Sequence, residues 1–375
     1  MLFLADQARV ASDKLAVNCR QQVEEITKKY RAEVMQRKLL YNKIQELRGN
    51  IRVFLRPRPD KESCIKVPSA TEVMLPSLKG DDVLMDFDRV FGNKSTQEEV
   101  FAEVQPIIMS CIDGYNVCIM AYGQTGSGKT HTMMGPPADP GVNRRAIREL
   151  LALTQKNTEL EFTLSLSLME VYNENLYDLL SSKRNKLSIH QNADGVFVPD
   201  LTERSITTQE EVEQALDDAQ ANRSTASTKM NTDSSRSHML LQLYVQAYNT
   251  ISKATSFGKL TLVDLAGSER VSKSEASGDR LLEAAAINKS LTALGQVFKA
   301  IQSNAPHVPY RNSKLTHVLQ DSLGGDSKTA VFVAVRGERS NLSETHSTLG
   351  FGTNIRKIEL GPATKHRAPG PPKLK

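Results

Sequence analysis

Cysteine is scarce in this sequence of 375 residues, and no apolar run approaches the length of a membrane span. The opening stretch Met1–Leu4 is too short for the apolar part of a signal peptide and runs into charged residues. The cysteines lack metal-ligand spacing, which predicts reduced thiols; they are Cys19, Cys64, Cys111 and Cys118. We therefore expect a cytoplasmic protein with no targeting segment and no membrane insertion.

Proline and glycine are absent from residues 1–48, which are rich in Ala, Gln, Glu, Lys and Arg. Glu33 and Arg37 interrupt an apolar seam in this segment, and Gly49-Asn50 ends it. The seam has the three- and four-residue spacing of a coiled coil, with Val23, Ile26, Tyr30, Leu40, Ile44 and Leu47. The pattern predicts a neck or stalk helix, either in a dimeric coiled coil or packed singly on its own domain.

The rest of the chain has the composition of a globular protein. The sequence is 39% hydrophobic and 24% charged, enough to bury a large core in one α/β domain or two smaller ones. Strand-like and helix-like runs alternate, which predicts a mixed sheet flanked by helices. The predicted strands are 51–55, 117–121, 162–171, 239–248, 259–264 and 329–335. The predicted helices are 96–112, 143–155, 208–222, 279–302 and 312–322.

The most informative stretch is residues 123–130, which match the phosphate-binding pattern G-x-x-x-x-G-K-[ST]. The stretch follows the apolar run 117–121 and precedes a potential helix start, the context that the pattern needs. Its glycines let backbone N–H groups turn towards a polyphosphate, while Lys129 reaches the β- and γ-phosphates and Thr130 ligates Mg²⁺. The predicted nucleotide-binding residues are Gly123, Gln124, Thr125, Gly126, Ser127, Gly128, Lys129 and Thr130.

Two further segments carry groups suited to sensing a γ-phosphate. Residues 231–238 (NTDSSRSH) concentrate hydroxyls and one guanidinium. Residues 259–270 (KLTLVDLAGSER) read as a strand that ends in Asp264, and a carboxylate at a strand end is a usual partner of Mg²⁺ in such sites. Gly267 can offer a bare N–H to a phosphate and move when that phosphate leaves. Singly, these segments could be a capping loop and a core strand; with residues 123–130 they indicate a nucleotide switch.

The three motifs resemble the phosphate loop, switch I and switch II of the kinesin motor domain. Further similarities are Arg56-Pro57-Arg58-Pro59 and the segments 87–91 (FDRVF), 172–174 (YNE), 287–291 (INKSL) and 307–315 (HVPYRNSKL). The resemblance covers about residues 50–360. It implies the α/β fold of a P-loop NTPase kinesin motor, with a mixed central sheet flanked by helices on both faces. It also implies microtubule-stimulated hydrolysis of ATP with Mg²⁺ as cofactor.

The resemblance assigns roles around the metal and the attacking water. Thr130 and Ser235 are the implied hydroxyl ligands of Mg²⁺, with Asp264 holding the ion through water. Arg236 and Glu269 are implied to form a salt bridge between the two switches that closes around ATP. Catalysis would then consist of positioning and charge stabilisation of an in-line water attack.

The remaining site residues implied by the resemblance contact the γ-phosphate and the base. Ser234 and Gly267 are implied to contact the γ-phosphate through their backbones. The adenine-side wall is implied at Arg56, Pro59 and His131. With the salt bridge above, the implied catalytic set is Lys129, Ser234, Arg236, Gly267 and Glu269.

The order of stalk and core resembles the C-terminal-motor group, kinesin-14, whose members usually walk towards microtubule minus ends. The helical segment 1–48 precedes the core 49–360, and the proline-rich, basic segment 361–375 predicts a disordered tail. The resemblance implies microtubules as partner, dimerisation through an N-terminal coiled coil, and a place on the cytoskeleton in the cytoplasm. We expect neither nucleic acid nor membrane as a partner.

Basic side chains mark the expected microtubule-binding face. The net charge of +5 permits an acidic partner, and tubulin's acidic surface should be met by salt-sensitive cations. Arg311 and Lys314 lie in the segment that resembles the family's main tubulin-contacting loop and helix, and Lys273 follows switch II. The cluster of basic residues at 183–186 is a further candidate or a solvated loop.

The last strand and helix depart from the kinesin pattern. Ala334–Gly337 stands where the family commonly reads Asn-x-Ser-Pro, and Gly350 and Gly352 lie in the final helix. Each helical glycine costs about 1 kcal/mol relative to alanine, which predicts a short or loosely docked final helix. This leaves open a kinesin-like protein that crosslinks microtubules with little stepping. A P-loop enzyme acting on a small substrate or nucleic acid is the third alternative.

Overall fold

The structure is a computed structural model. It describes residues 2–47, 51–78, 80–156, 159–192, 195–226, 234–269, 279–325, 327–358, 361 and 363–371. Two compact units divide the chain, Met1–Arg48 and Gly49–Lys375. Within the described ranges, no helix is both long enough and apolar enough to cross a membrane.

The first unit is one helix, α1 (Leu2–Leu47), of 46 residues. Its sequence contains no proline or glycine to interrupt the backbone hydrogen bonds. Glu25 and Lys29 pair at 2.8 Å on its surface, one turn apart. The seam residues whose side chains are described are exposed; for example, Val23, Ile26 and Tyr30 are 62%, 66% and 69% exposed.

The second unit contains the remaining helices and all the strands of the described chain. Its helices are α2 (Gln97–Met109), α3 (Lys129–Met133), α4 (Val142–Lys156), α5 (Gln209–Ala226), α6 (Asp279–Gln302), α7 (Lys314–Val318), α8 (Gln320–Leu323) and α9 (Leu342–Arg356). Short 3₁₀ turns occupy Ser234–Arg236, Tyr310–Asn312 and Arg339–Asn341.

The strands are numbered in chain order. They are β1 (Ile51–Pro57), β2 (Glu72–Pro76), β3 (Asp82–Asp86), β4 (Arg89–Val90), β5 (Asn116–Tyr122), β6 (Leu160–Tyr172), β7 (Asn175–Asp178), β8 (Lys186–Leu187), β9 (His190–Asn192), β10 (Gly195–Phe197), β11 (Arg204–Ser205), β12 (His238–Asn249), β13 (Ala254–Asp264), β14 (Ser327–Val335) and β15 (Arg367–Pro369).

A mixed sheet forms the centre of this unit, in the order β4-β1-β14-β5-β13-β12-β6-β7-β8. Strands β1, β14, β5 and β13 are parallel neighbours, whereas β12 runs antiparallel to both β13 and β6. The predicted strands and most predicted helices correspond to observed ones. The mixed sheet expected from the alternating pattern is therefore confirmed.

Helices cover both faces of this sheet. In β5, Val117 and Ile119 point into one apolar cluster and Cys118 and Met120 into the other, as the two-residue period of a strand requires. Residues of α2, α4 and α5 fill the first cluster, and residues of α6 to α9 fill the second. A strand buried on both faces must be apolar throughout. This explains the unbroken apolar run that precedes the phosphate loop.

Two parts of the chain differ from the sequence-based expectation. The single helix predicted at 312–322 is a 3₁₀ turn followed by α7 and α8, which meet at Leu319. The segment 361–375 was expected to be a disordered tail, but β15 pairs antiparallel with Ala254–Ser256 of β13. The basic residues at 365–367 therefore belong to a sheet strand and its approach. Composition could not reveal this, because the open backbone groups of β13 belong to another part of the chain.

The final helix is neither short nor loosely docked, so that prediction was wrong. Helix α9 has 15 residues, and Leu349 and Ile355 are buried. Phe351 stacks on Tyr122 with ring centroids 3.7 Å apart. A Cβ on Gly352 would lie 2.8 Å from a methyl of Val333 in β14 and 3.0 Å from Phe87. Glycine at this position allows the helix to pack close to the sheet.

The two helical glycines provide a matched test of this packing. Alanine at either position gains the same helix propensity, but only alanine at Gly352 meets buried neighbours, because nothing lies within 4 Å of a Cβ at Gly350. We expect Gly350→Ala to be more stable than Gly352→Ala by about 1–3 kcal/mol, the usual cost of overpacking. Denaturant unfolding at fixed nucleotide concentration measures the difference. Equal stabilities would contradict the close packing of α9.

Candidate nucleotide-binding site

A cavity of about 550 Å³ opens at the carboxyl end of β5. Parallel strands of an open sheet commonly place their ligands at this edge. The cavity is lined by the end of β1, the phosphate loop, the start of α3 and the two switch segments. These residues are Arg56, Pro57, Arg58, Pro59, Gly92, Ser95, Thr125, Gly126, Ser127, Gly128, Lys129, Thr130, His131, Thr132, Ser235 and Leu265.

The phosphate loop requires glycine at several of its positions. Gly126 and Gly128 have φ of 73° and 98°, in the left-handed region that side chains disfavour. A Cβ on Gly123 would collide with the carbonyl oxygen of Ala334 in the adjacent strand. Successive residues in such turns direct their N–H groups into one concavity, which suits an anion. The loop therefore has the backbone shape that the sequence pattern predicted.

Lys129 is buried at the base of the cavity. Its ammonium group donates hydrogen bonds to the carbonyl oxygens of Gly123, at 2.8 Å, and Gln124, at 3.0 Å. The side chain is thus folded back onto the loop that it would serve. Because the cation is held among carbonyl dipoles and lines the cavity, it can exchange these bonds for phosphate oxygens without moving into solvent.

The predicted metal ligands meet between the phosphate loop and the end of β13. The Thr130 hydroxyl donates a hydrogen bond of 2.7 Å to Oδ2 of Asp264. Ser235 lines the same cavity. Asp264 is 3% exposed, and burial raises the pKa of its carboxyl group, against the opposing effects of Thr130 and Lys129. Within the described residues, Oδ1 of Asp264 has no hydrogen-bond partner.

These groups fit a magnesium ion. Mg²⁺ prefers carboxylate, hydroxyl and phosphate oxygens and is seldom held by protein groups alone. The described residues contain no group of three or more His, Cys, Asp or Glu side chains that could hold a metal. The unpaired buried oxygen of Asp264 is an acceptor that a water on the ion could satisfy.

The predicted salt bridge between Arg236 and Glu269 is absent from this conformation. The Arg236 guanidinium donates instead to Glu283 of α6, at 2.6 Å. Glu269 accepts from the backbone N–H of Thr125 at 2.8 Å and from its hydroxyl at 2.6 Å. Each predicted partner is therefore engaged elsewhere. The Glu269 carboxylate binds the phosphate loop itself, a position that spacing along the chain could not reveal.

Of the two residues predicted to contact the γ-phosphate, Gly267 is hydrogen-bonded to the residue that follows Ser234. Ser234 begins the 3₁₀ turn Ser234–Arg236, and its side chain lies outside the described atoms. The N–H of Gly267 donates to the carbonyl oxygen of Ser235 at 2.8 Å, which joins the two switch segments directly. A Cβ on Gly267 would meet the Thr125 hydroxyl and the Glu269 carboxylate, so a larger residue here would force these side chains to move.

The predicted adenine-side residues Arg56, Pro59 and His131 all line the cavity. Arg56 also has a bracing role, because its Nη1 donates to Gln97 at 2.7 Å and to Thr132 at 2.9 Å. Burial, followed by the charge of Arg56, lowers the pKa of His131, which favours a neutral ring.

Arg58 is a cavity residue that the sequence reasoning did not assign. Its guanidinium donates to the carbonyl oxygen of Gly126 at 2.7 Å, which ties the end of β1 to the phosphate loop. Its place between two prolines in the motif at 56–59 was the available signal. The motif alone could not show which of its two arginines faces the loop.

Of the predicted microtubule-binding residues, Arg311 and Lys314 lie outside the cavity lining. Lys273 lies outside the described residues. Arg311 is exposed and donates to Gln191 at 3.2 Å, and Lys314 begins α7 with a half-buried side chain. Burial, followed by the charges of Arg311 and Lys314, lowers the pKa of nearby His317. These two cations therefore create a local positive field.

The basic cluster at 183–186 is partly engaged within the protein. Arg184 lies over the ring of Tyr177, 4.6 Å from its centroid, and pairs with the buried carboxylate of Glu170 at 3.5 Å. This arginine has a local structural role, so we do not include the cluster in the microtubule-binding face.

Comparison with known proteins agrees with the site's geometry. The kinesin motor domain family matches residues 60–358. Kinesin-like protein KIN-14R of Arabidopsis thaliana is 46% identical, over 92% of this chain and 33% of its own length. Kinesin-like protein klp-3 of Caenorhabditis elegans is 42% identical, over 92% of this chain and 60% of its own length.

Solved structures show the same likeness. The C-terminal motor and motor homology domain of Kar3Vik1, fused to a synthetic heterodimeric coiled coil, is 36% identical with a TM-score of 0.82, covering 95% of this chain and 99% of that one. A fast kinesin is 34% identical with a TM-score of 0.81, covering 88% and 97%. This chain spans about a third to three fifths of the length of the curated relatives above. It belongs to the kinesin family, and its relatives place it in the kinesin-14 group.

Proposed function

We propose that this chain is an ATP-driven microtubule motor that moves towards the minus end. The observation that carries this proposal is that hydrogen bonds join the phosphate loop to switch II, and switch II to switch I, around one cavity. Thr130 binds Asp264, Thr125 binds Glu269, and Gly267 binds the carbonyl of Ser235. A phosphate or metal ion that binds Thr125, Thr130 or Gly267 would displace these contacts. Hydrolysis of a nucleotide in the cavity would therefore change the contacts of both switch segments.

The proposed chemistry is hydrolysis of the γ-phosphate of ATP by an in-line water. Lys129 and the loop N–H groups would hold the phosphates, with Arg56, Arg58, Pro59 and His131 beside the base. Mg²⁺ held through Thr130, Ser235 and Asp264 would neutralise developing charge. Glu269 and Arg236 would orient the water after leaving Thr125 and Glu283, their present partners.

This partner exchange supports a gated reaction. A γ-phosphate at the loop would compete with the Glu269 carboxylate for the N–H of Thr125, because both are anions that accept from the same donor. The released carboxylate is then available to Arg236. The catalytic arrangement would thus assemble only when the triphosphate is bound, which is the logic of induced fit.

The mechanical parts of the proposal rest on the first unit and the basic surface. We propose residues 1–48 as a stalk helix and 49–360 as the motor domain. The exposed seam of α1, with Val23, Ile26 and Tyr30 among its members, supports homodimerisation as a coiled coil. Arg311, Lys314 and Lys273 would contact the acidic track, and we propose that the protein acts on the microtubule cytoskeleton of the cytoplasm. The docked α9 removes the observation that had favoured a crosslinker.

Direction is the finest part of the proposal and has its own experiment. The stalk precedes the core, as in the kinesin-14 relatives, and its junction at Gly49 and Asn50 lies outside the described residues. On polarity-marked microtubules, surface-bound protein should drive gliding with the plus end leading, the mark of a minus-end motor. Gliding with the minus end leading would contradict the direction and leave the ATPase assignment intact. Immobile microtubules with normal ATPase would instead support a crosslinker.

The proposed exchange of Arg236 from Glu283 to Glu269 can be tested by changing each of these two carboxylates in turn. Arg236→Ala and Glu269→Gln should retain ATP binding but lower microtubule-stimulated turnover by about 100-fold or more, as loss of a transition-state contact does. Glu283→Gln is the control, because it removes the observed partner of Arg236 and keeps the proposed one. We expect a much smaller loss in that variant. Equal losses in Glu283→Gln and Glu269→Gln would contradict the proposed exchange, because the observed Arg236–Glu283 pair would then matter as much for turnover.

Salt dependence tests the microtubule-binding face. Arg311→Ala together with Lys314→Ala should raise the microtubule concentration needed for half-maximal ATPase about tenfold at low ionic strength. The difference should shrink as salt is added, because exposed charges are screened. Lys61→Ala with Lys66→Ala removes the same charge from exposed positions outside this face. A similar effect in this control would show that net charge alone, and not the position of Arg311 and Lys314, explains the result.

A further inference from the structure

His238 is a buried titratable residue that the proposed chemistry does not use. It is the last residue of the switch I motif and the first of β12, and it is 2% exposed. Burial, followed by the charges of Arg223 and Lys129, lowers the pKa of its imidazole to about 3. The ring is therefore neutral at physiological pH. A neutral imidazole can accept a hydrogen bond at one nitrogen while donating at the other.

Both ring nitrogens of His238 are engaged, and they bind different elements. The backbone N–H of Ala266 lies 3.1 Å from Nδ1 and can only donate, so Nδ1 is the acceptor. The proton is therefore on Nε2, which donates to the Ser290 hydroxyl of α6 at 2.7 Å. That hydroxyl in turn donates to the carbonyl oxygen of Ile287 at 2.7 Å. All three hydrogen bonds have a defined direction.

One end of this chain of hydrogen bonds lies at the nucleotide cavity. Ala266 stands between Leu265, which lines the cavity, and Gly267, whose N–H donates to Ser235. Ala266 is fully buried. His238 therefore holds the switch II peptide at the point where a departing phosphate would move it.

The other end lies on α6, which is bound to the predicted microtubule-binding face. Gln296 of α6 accepts from Asn312 at 3.1 Å, beside Arg311. Glu174 joins the same two elements, because it pairs with Lys289 of α6 at 3.5 Å and accepts from the N–H of Lys314 at 3.4 Å. A displacement of α6 would thus reach the segment that carries the predicted microtubule contacts.

We propose that His238 is a positioning residue that links switch II to α6 through Ser290, so that microtubule binding and turnover are coupled. The inference rests on the proposed function and deepens it. Among the described residues, the hydrogen bonds of the ring go to Ala266 and Ser290, and neither is a cavity-lining side chain or a proposed metal ligand. It acts through Ala266 on one side and Ser290 on the other. Its loss should therefore weaken coupling more than the chemistry itself.

Two substitutions separate the two halves of the link. In His238→Asn, the amide oxygen can replace Nδ1 as the acceptor for Ala266, but the side chain is too short to reach Ser290. In His238→Gln, the amide nitrogen can replace Nε2 as the donor to Ser290, but the acceptor near Ala266 is lost. Ser290→Ala removes the helix partner and leaves the ring in place. Thr292→Ala is the matched control, because it removes an exposed hydroxyl from the same helix.

The measurement is the ratio of microtubule-stimulated to basal ATP turnover, with nucleotide affinity and thermal unfolding recorded for each variant. We expect this ratio to fall about tenfold in His238→Asn, His238→Gln and Ser290→Ala, the effect of one unsatisfied buried hydrogen-bond partner. Thr292→Ala should stay within about twofold of the parent chain. His238→Asn with Ser290→Ala should be no worse than either single variant, because both remove the same link.

A ratio equal to that of the parent chain in folded Ser290→Ala would overturn the inference, and that variant decides the matter if the histidine variants do not fold. Effects of His238→Asn and Ser290→Ala that multiply to about 100-fold would also overturn it, because the residues would then act independently. Absence of any microtubule stimulation in the parent chain would overturn the proposed function as well. Stimulation in the parent with unchanged variants overturns this inference alone.

Discussion

The hydrogen bond between Thr130 and Asp264 is the contact on which the rest of the site depends. It joins the last residue of the phosphate loop to the end of β13, at the carboxyl edge of the parallel strands. The carboxylate is almost fully buried, so its charge must be stabilised by neighbouring donors. Thr130 and Lys129 supply part of that stabilisation. Loss of the Thr130 hydroxyl would leave Oδ2 of the buried Asp264 carboxylate without this hydrogen bond.

Glycine allows the switch segments to approach this centre. Gly267 lies close to the Thr125 hydroxyl and the Glu269 carboxylate, where a Cβ would force these side chains to move, and the N–H of Gly267 binds the carbonyl oxygen of Ser235. Glu269 can therefore bind the phosphate loop while Arg236 binds Glu283. Together with the Arg236–Glu269 pair that we propose for the ATP-bound state, these contacts would give two alternative arrangements, and a bound phosphate could favour one of them through its own charge. Ala266, the residue before Gly267, is linked to α6 through the buried ring of His238.

Close packing of helix α9 against the sheet also holds the residue that precedes the phosphate loop. Helix α9 contains two glycines, yet it is well docked, because Gly352 allows it to lie against Val333 and Phe87. Tyr122, at the end of β5, stacks on Phe351 of this helix. The residue before the phosphate loop is thus held by an aromatic contact from α9. A weak helix former is compatible with a rigid position when tertiary packing replaces the lost propensity.

The sequence by itself determined the class of fold, the phosphate loop and the identity of the residues around it. The unbroken apolar run of β5 and the pattern at 123–130 follow from short-range geometry, which is readable along the chain. Only the tertiary structure decided which groups pair. Arg236 is 47 residues from Glu283, Glu269 is 144 from Thr125, and Arg58 is 68 from Gly126. It also decided that Gly352 permits packing and that β15 joins the sheet. Such contacts depend on which chain segments the fold brings together, and local sequence carries no record of distant partners.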